Sequence, residues 1–179
     1  MAGKEKNFVS AVIYLGEEKD QAAPFLQMLT GRLAARFEQY ELVFVEDASR
    51  DGTEAVVKDF LSEMEAPPPV TMVHMSLRQG LELAMNAGLD MAVGDFVYEF
   101  DSMYMGYPAQ LIDTAYDTCL GGNDIVSVSP QKNRGISSSL FYRLFNAGSH
   151  SQYKLQTHVF RLPRRRASTR GNSLPAPRP

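Results

Sequence analysis

Two kinds of hydrophobic pattern alternate along the chain. Short apolar runs rich in β-branched and aromatic residues predict buried strands, and longer segments with apolar residues every three or four positions predict amphipathic helices. The predicted strands span residues 8–14, 40–46, 70–75, 95–100 and 123–129. The predicted helices begin at Asp20, at Asp51 or Thr53, at Arg78 and at Pro108, and end near Phe37, Met64, Gly94 and Gly121.

The alternation of strands and helices predicts an α/β fold with a mostly parallel sheet that helices cover on both faces. Ligands of such sheets bind at the carboxyl ends of the strands. Acidic residues follow three of the predicted strands: Glu17 and Glu18, Glu46 and Asp47, and Asp101. They predict either a binding site at this edge or solvated turns in which Ser49 and Asp51 cap the next helix.

The hydrophobic pattern weakens after the fifth strand. A short helix is predicted at 137–148 and a strand at 156–162, and the Pro, Ser and Arg content of 163–179 is typical of a disordered tail. We therefore expect one domain, residues 1–162, followed by a basic tail, residues 163–179.

Charge and cysteine content narrow the functional classes. The 18 basic and 21 acidic residues give a net charge of −3, which argues against a general nucleic-acid binder. The single cysteine, Cys119, excludes an internal disulfide and fits a reducing compartment. No apolar signal core begins the chain, and no run approaches the roughly 18 apolar residues of a membrane span. We expect a cytoplasmic protein, with the cytoplasmic face of a membrane as the alternative location.

Carboxylates at strand ends can hold a nucleotide in two ways. One accepts hydrogen bonds from the base or ribose, and another anchors a divalent ion that neutralises a diphosphate. Two common nucleotide-binding motifs are absent from the sequence. No GxGxxG motif follows the first strand and no GxxxxGK[ST] motif occurs, which disfavours dinucleotide-binding and P-loop folds. The three histidines have no metal-binding spacing and are expected to be structural or exposed.

Three separated segments resemble the successive signatures of one family. They are SAVIYLGEE (10–18), ELVFVEDASRDGT (41–53) and MNAGLDMAVGDFVYEFD (85–101). They are similar to family 2 glycosyltransferases of the GT-A fold, most of all to the polyprenyl-phosphate sugar transferases of the dolichyl-phosphate mannose synthase type. The resemblance covers roughly residues 8–162 and implies a Rossmann-like three-layer sandwich. It also implies an inverting transfer of a sugar from a nucleoside diphosphate to an acceptor, with a polyprenyl phosphate as one candidate acceptor.

The resemblance implies roles for individual residues. Gly16 and Glu17 would lie by the nucleoside, and Asp47 with Glu46 would hold the base or ribose. Arg78 would face the diphosphate, where a guanidinium fork suits phosphate oxygens. The arginines that correspond to the acceptor side of the family are Arg134, Arg143, Arg161 and Arg165. Such enzymes serve glycan or cell-envelope synthesis, and a peripheral membrane contact or a membrane protein partner is implied.

The sequence departs from the family at two places. Residues 14–16, Tyr-Leu-Gly, stand where relatives usually show a proline, an aromatic residue and an asparagine. After the fourth strand the family carries Asp-x-Asp, whose alternate carboxylates can approach one metal ion. This chain has Asp101-Ser102-Met103, and a thioether is a poor ligand for Mg²⁺ or Mn²⁺.

Three accounts of this departure remain open. Asp101 alone, as the catalytic and metal-binding residue, holds the ion together with water and diphosphate oxygens. Alternatively, Glu99 supplies a second carboxylate. In the third account the protein is a catalytically impaired, transferase-like module that binds nucleotide or serves assembly with a membrane partner.

Overall fold

Strands and helices alternate through the computed structural model, which describes residues 3–128 and 160–163. The strands are β1 (Val9–Leu15), β2 (Tyr40–Glu46), β3 (Val70–His74), β4 (Phe96–Phe100), β5 (Ile125–Val128) and β6 (Phe160–Pro163). The helices are α1 (Lys19–Arg36), α2 (Thr53–Ser62), α3 (Leu81–Met91) and α4 (Gln110–Leu120). Within these ranges, none of the helices has both the length and the apolar character needed to cross a bilayer.

The strands form one mixed sheet in the order β3-β2-β1-β4-β6-β5. Strands β3, β2, β1 and β4 are parallel to one another, whereas β6 runs antiparallel to both β4 and β5. In this register Leu15 lies opposite Glu46, and Glu46 lies opposite His74. The chain therefore leaves β1, β2 and β3 at one level on the carboxyl edge, and the predicted α/β fold with a mostly parallel sheet is confirmed.

Each face of the sheet has its own core. Helices α1, α2 and α4 cover one face, where Phe25 packs edge-on against Phe100 with 5.3 Å between ring centroids. Helix α3 packs against the opposite face through Ala84 and Met85. Because successive side chains of a strand point to opposite faces, strands buried on both sides are apolar throughout, as β1 nearly is.

Three helix starts differ from the prediction. Helix α4 begins at Gln110 instead of Pro108. Asp20 was expected to cap α1, but the acceptor at this helix start is Asp51, which takes the Lys19 N–H at 3.0 Å. Helix α3 begins at Leu81 instead of Arg78, because Gly80 has φ 89° and ψ 162°, far outside the helical range.

The C-terminal predictions are only partly covered. Residues 160–162 of the predicted strand lie in β6, which continues to Pro163, so the first residue of the expected tail belongs to the sheet. The helix predicted at 137–148 and the rest of the tail lie outside the described residues. The division at residue 162 thus stays a prediction.

Helix α3 approaches the sheet closely at Gly88. A Cβ atom at this position would lie 2.4 Å from Val45 Cγ2 and 2.7 Å from Val12 Cγ1. The turn after the helix is equally tight, because a Cβ on Gly94 would lie 2.5 Å from the backbone nitrogen of Ser10. These approaches fix how α3 and the loop that precedes it sit on the sheet.

Two helical glycines provide a test of this packing. We expect Gly88→Ala to lower the free energy of unfolding by about 1–3 kcal/mol through overpacking. Gly31→Ala in α1 should raise it by about 0.5–1 kcal/mol, because alanine is the better helix former and nothing lies within 4 Å of the new Cβ. Urea denaturation of both variants measures the difference, and equal stabilities would contradict the packing of α3.

Candidate functional site

Four loops meet at the carboxyl edge of the parallel strands. They are residues 16–18 after β1, 47–52 after β2, 75–80 after β3 and 101–109 after β4. Strands β2 and β4 flank β1 on either side, so the loops that follow them start about 10 Å apart. Three carboxylates, Asp47, Asp51 and Glu18, accept hydrogen bonds that connect these loops to one another.

Asp47 joins the loop after β2 to the loop before α3. Its side chain accepts the N–H groups of Gln79 at 2.7 Å and Gly80 at 2.9 Å, and the hydroxyl of Tyr14 at 3.1 Å. Only 2% of the residue is exposed. Burial by itself raises the pKa of Asp47, but the three hydrogen bonds and the charge of Arg78 outweigh it and lower the pKa. The carboxylate therefore stays ionised and fixed in place.

Glu46 stabilises the turn in which Asp47 lies. Its buried carboxylate accepts the N–H of Ser49. Between them, Ala48 adopts φ 53°, a left-handed conformation that residues with a Cβ rarely occupy. Glu46 is thus used within its own turn, and its predicted contact with a ligand stays a prediction.

Asp51 serves the starts of two helices. Its carboxylate accepts the N–H of Lys19 at the start of α1 and, at 2.9 Å, the N–H of Thr53 at the start of α2. The Thr53 hydroxyl donates to the same carboxylate and accepts the N–H of Glu18 at 3.1 Å. Burial raises the pKa of Asp51, but the bonds from Thr53 and Lys19 outweigh it and lower the pKa. One side chain thereby satisfies amides that helix starts leave unpaired.

Glu18 connects the loop after β1 with the loop after β4. Its Oε2 accepts the N–H of Met103 at 3.0 Å. Burial raises the pKa of Glu18, and the Met103 bond offsets part of that effect. The Met103 side chain is fully buried in the same cluster as Phe25 and Phe100. The residue at the expected second metal position therefore points into the core, whereas Asp101 is half-buried at the edge.

The remaining predicted residues lie at different depths. Gly16 lies against Tyr14, whose ring would be 3.3 Å from an added Cβ. The Glu17 carboxylate is 3.9 Å from the guanidinium of Arg78, and both side chains are largely exposed.

Glu99 is buried in β4 and accepts a hydrogen bond from Arg161 Nε. Arg134, Arg143 and Arg165 lie outside the described residues. In the described ranges, no three His, Cys, Asp or Glu side chains are grouped so as to hold a metal ion.

Sequence reasoning missed the partners of these carboxylates. Tyr14, Gln79 and Gly80 were assigned no role toward Asp47, and Glu18 was noted only as an acid after a strand. One usable signal was Gly80, because a glycine directly before an apolar helical repeat often marks a backbone conformation that other residues avoid.

The segment that carries these loops matches the model of one protein family. The model of glycosyl transferase family 2 matches residues 17–102, from the loop after β1 to the loop after β4. Residues 17–102 are thus similar to glycosyl transferase family 2. The family predicted from the three signature segments is therefore confirmed.

Similar curated proteins are glycosyltransferases by name. An uncharacterized glycosyltransferase of Synechocystis sp. is 26% identical, over 93% of this chain and 53% of its own length. The prophage bactoprenol glucosyl transferase homolog of Escherichia coli is 25% identical, over 86% of this chain and 51% of its own. The chain thus spans about half of the length of these relatives.

Solved structures of the GT-A fold superpose on the chain. The mannosyltransferase of Pyrobaculum calidifontis, solved with GDP-Man and Mn²⁺, gives a TM-score of 0.67 at 21% identity, over 96% of this chain and 48% of its own. A second similar structure is glucosyl-3-phosphoglycerate synthase of Mycobacterium tuberculosis, solved with Mn²⁺, UDP-glucose and phosphoglyceric acid. It gives a TM-score of 0.69 at 17% identity, over 89% of this chain and 57% of its own. At these identities the likeness concerns the fold, and the GT-A prediction is confirmed.

Removal of the Asp51 carboxylate tests whether this side chain caps both α1 and α2. We expect Asp51→Ala to lower the free energy of unfolding by about 1–2 kcal/mol at pH 7 through loss of capping. Because the folded-state pKa lies below the usual value of 3.8, this stabilisation is present above pH 3.8 and is lost as the pH falls through the folded pKa. Denaturation at pH 7 and pH 3 should show the difference from wild type shrinking in acid.

Asp59, which is exposed in α2, provides the control for Asp51. Asp59→Ala should change stability by less than about 0.5 kcal/mol. A loss as large as that of Asp51→Ala would attribute the effect to net charge and not to capping.

The burial of Met103 gives a second prediction. Met103→Asp should destabilise the fold by about 3 kcal/mol or more, because it removes core packing and buries a carboxylate. Met103→Leu, which nearly conserves volume, should cost less than about 1.5 kcal/mol. Thermal unfolding measures both. A stable Met103→Asp protein that gains Mn²⁺ affinity would show that this position can face the cleft.

Proposed function

We propose that this chain is the donor-binding domain of a glycosyltransferase that moves a sugar from a nucleoside diphosphate to an acceptor. The observation that carries the proposal is the family match itself, which runs from the first to the last of the four loops at the carboxyl edge. Parallel α/β sheets bind their ligands at this edge. Similar structures were solved with GDP-Man and with UDP-glucose, which supports a nucleotide-sugar donor.

Two groups are proposed to meet the diphosphate. The Arg78 guanidinium is exposed above the edge and can pair with phosphate oxygens in a bidentate manner. Asp101 is proposed to hold a Mg²⁺ or Mn²⁺ ion that offsets charge on the departing diphosphate. Gly16 and Glu17 are proposed to border the nucleoside. The Mn²⁺ named for both similar structures supports the cation.

The donor atoms around Asp101 fit a weak cation site. Met103 supplies none, because its thioether is buried in the core. Glu99 is less suited than Asp101, because it is buried within β4, whereas Asp101 is half-buried at the carboxyl edge. A single carboxylate is nevertheless common for Mg²⁺, which takes its other ligands from water and substrate phosphates. For this reason we propose an active transferase and not the impaired module.

A lipid phosphate is the proposed acceptor. The bactoprenol glucosyl transferase homolog of Escherichia coli supports it by name. A phosphate nucleophile is already anionic, so it needs cationic groups around it more than a general base. Arg161 is the one predicted acceptor-side arginine within the described residues, and Arg134 and Arg143 remain proposals of the same kind. Inversion at the sugar and a location at a membrane face belong to this proposal.

Nucleotide binding tests the proposed function. The chain is heated with UDP, GDP, CDP or ADP, each with and without Mn²⁺. A nucleotide at 100 times its Kd should add about 2.7 kcal/mol of stability, which corresponds to roughly 5–10 °C in Tm for a chain of this size. Asp101→Asn should remove the Mn²⁺-dependent part of the shift and leave the remainder.

Asp90→Asn is the matched control, because it removes one exposed carboxylate from α3. It should leave both parts of the shift unchanged. No Tm shift with any of the four nucleotides would refute the proposed function, and a shift equal with and without Mn²⁺ would refute the cation at Asp101.

A further inference from the structure

A cleft lies at the amino edge of the sheet, opposite the four loops of the proposed donor site. Its volume is about 550 Å³, and its walls come from the end of α1, the start of β2 and the 63–69 loop that leads into β3. We call it the amino-edge cleft. Strand β2 is seven residues long, so this cleft is about 20 Å from the carboxyl edge. It is therefore separate from the donor site, and its volume is in the range of ligand-binding pockets.

Tyr40 gives the amino-edge cleft a hydrogen-bond donor. The residue lines the cleft and is only 9% exposed. Burial raises the pKa of its hydroxyl, which therefore stays protonated. In the described part of the chain, no group forms a hydrogen bond with this hydroxyl. Because a shielded hydroxyl without a partner is unfavourable, the cleft favours an occupant that brings an acceptor.

Ring surfaces form much of the rest of the cleft. Phe8, Phe37, Pro68 and Pro69 line it together with Tyr40. Grooves lined by aromatic side chains commonly bind proline-rich segments, whose rings pack on the aromatic faces. Proline has no N–H, so such segments offer more acceptors than donors. A phenol donor among aromatic rings therefore complements a proline-rich segment.

The charge around the cleft favours a basic occupant. Glu38 lines the cleft, and Glu63 and Glu65 are exposed in the loop that forms one of its walls. Lys4 is the one basic residue that lines it. Carboxylates thus outnumber ammonium groups there, and a guanidinium suits a carboxylate through bidentate hydrogen bonds.

The sequence of this chain contains a segment with both properties. Residues 175–179 read Pro-Ala-Pro-Arg-Pro. The 16 residues after Pro163 include five arginines and no acidic residue. This segment therefore matches the cleft in its rings, its acceptors and its charge.

The sheet brings the chain to the same edge as the cleft. Strand β6 is antiparallel to β4, so it runs toward the amino edge, where Pro163 pairs with Ile125 at the start of β5. Three strand spacings, about 14 Å, separate β6 from β2. The 11 residues from 164 to 174 can span up to about 36 Å. Residues 175–179 can therefore reach the amino-edge cleft within one molecule.

We propose that the amino-edge cleft binds residues 175–179 of this same chain, with the Tyr40 hydroxyl donating to a carbonyl of the segment and Glu38 facing Arg178. The site is an intramolecular peptide-binding site. It does not depend on the proposed function, because it lies at the opposite edge of the sheet.

The first test compares variants of the full chain by NMR. The triple variant Pro175→Ala/Pro177→Ala/Pro179→Ala removes the three rings and keeps every charge. It should shift the amide signals of Gln39, Tyr40 and Ala66, which line the cleft, and leave those of the carboxyl-edge loops in place. Ser168→Ala/Thr169→Ala/Ser173→Ala is the matched control, with three substitutions earlier in the same stretch, and should leave the cleft signals unchanged.

The second test adds a synthetic peptide with the sequence of residues 171–179. The peptide should bind the triple proline variant and shift the same cleft amides to saturation. Its binding to wild type should be at least about tenfold weaker, because the chain's own segment competes at an effective concentration in the millimolar range. A peptide with alanine at the three proline positions should leave the cleft signals unchanged.

Removal of one hydroxyl tests the role of Tyr40. In the triple proline background, Tyr40→Phe should weaken the peptide by about threefold to tenfold, the effect of one lost hydrogen bond. Tyr107→Phe is the matched control, because its hydroxyl also has no partner among the described residues and lies in the loop after β4. It should leave the affinity for the peptide unchanged.

Three results would overturn the proposal. One is identical cleft signals in wild type and the triple proline variant. Another is a peptide that fails to shift the cleft amides of that variant, or that shifts the carboxyl-edge loops instead. The third is a difference between wild type and variant that disappears on dilution, since it would assign the segment to a second copy of the chain. None of these results bears on nucleotide binding, so the proposed function stands or falls separately.

Discussion

A carboxylate that is withdrawn from water at the end of a parallel strand must be surrounded by hydrogen-bond donors, and this requirement organises the carboxyl edge of the sheet. Backbone amides of loops and helix starts are the nearest unpaired donors. Asp47 takes those of the 75–80 loop, Asp51 takes those that begin α1 and α2, and Glu18 takes that of Met103. Each carboxylate accepts at least one hydrogen bond from another loop or helix start, so the four loops are held together.

The sheet and α3 determine which loops can meet in this way. The close approach of Gly88 to Val12 and Val45 sets the position of α3, and the loop that leads into the helix is thereby brought over the end of β2. The turn after β2 uses a left-handed alanine, Ala48, at a cost of about 1–2 kcal/mol. The hydrogen bonds made by Glu46 and Asp47 offset that cost, because both depend on the turn.

The sequence predicts the local elements better than the site. Strands β1, β2 and β4 are nearly continuous apolar runs, and α1 and α4 keep a helical period, so their existence follows from local pattern. The predicted start of α3 was wrong because Arg78 and Gln79 fit a helical pattern. The observed start depends on the conformation of Gly80, whose N–H is bound by Asp47, 33 residues earlier in the chain. The carboxyl edge was predicted because strand direction places it, but the partners of each acid come from distant loops. Hydrogen bonds with those partners determine how much of a carboxylate is left to bind a ligand.

Met103 shows how the loop geometry and the proposed chemistry can coexist. Its backbone is held by Glu18 and its side chain fills the core, so this position stabilises the loop after β4 instead of binding a cation. On the proposed function, a cation with one protein carboxylate draws its other ligands from the donor diphosphate. Binding of the ion and of the donor is then coupled, and each raises the affinity of the other by the same factor. Arg78, held through its loop by Asp47, supplies positive charge that does not depend on the ion. On this proposal, neutralisation of the diphosphate would be shared between the Arg78 guanidinium and a cation with one protein carboxylate, which makes the absence of a second carboxylate compatible with transfer.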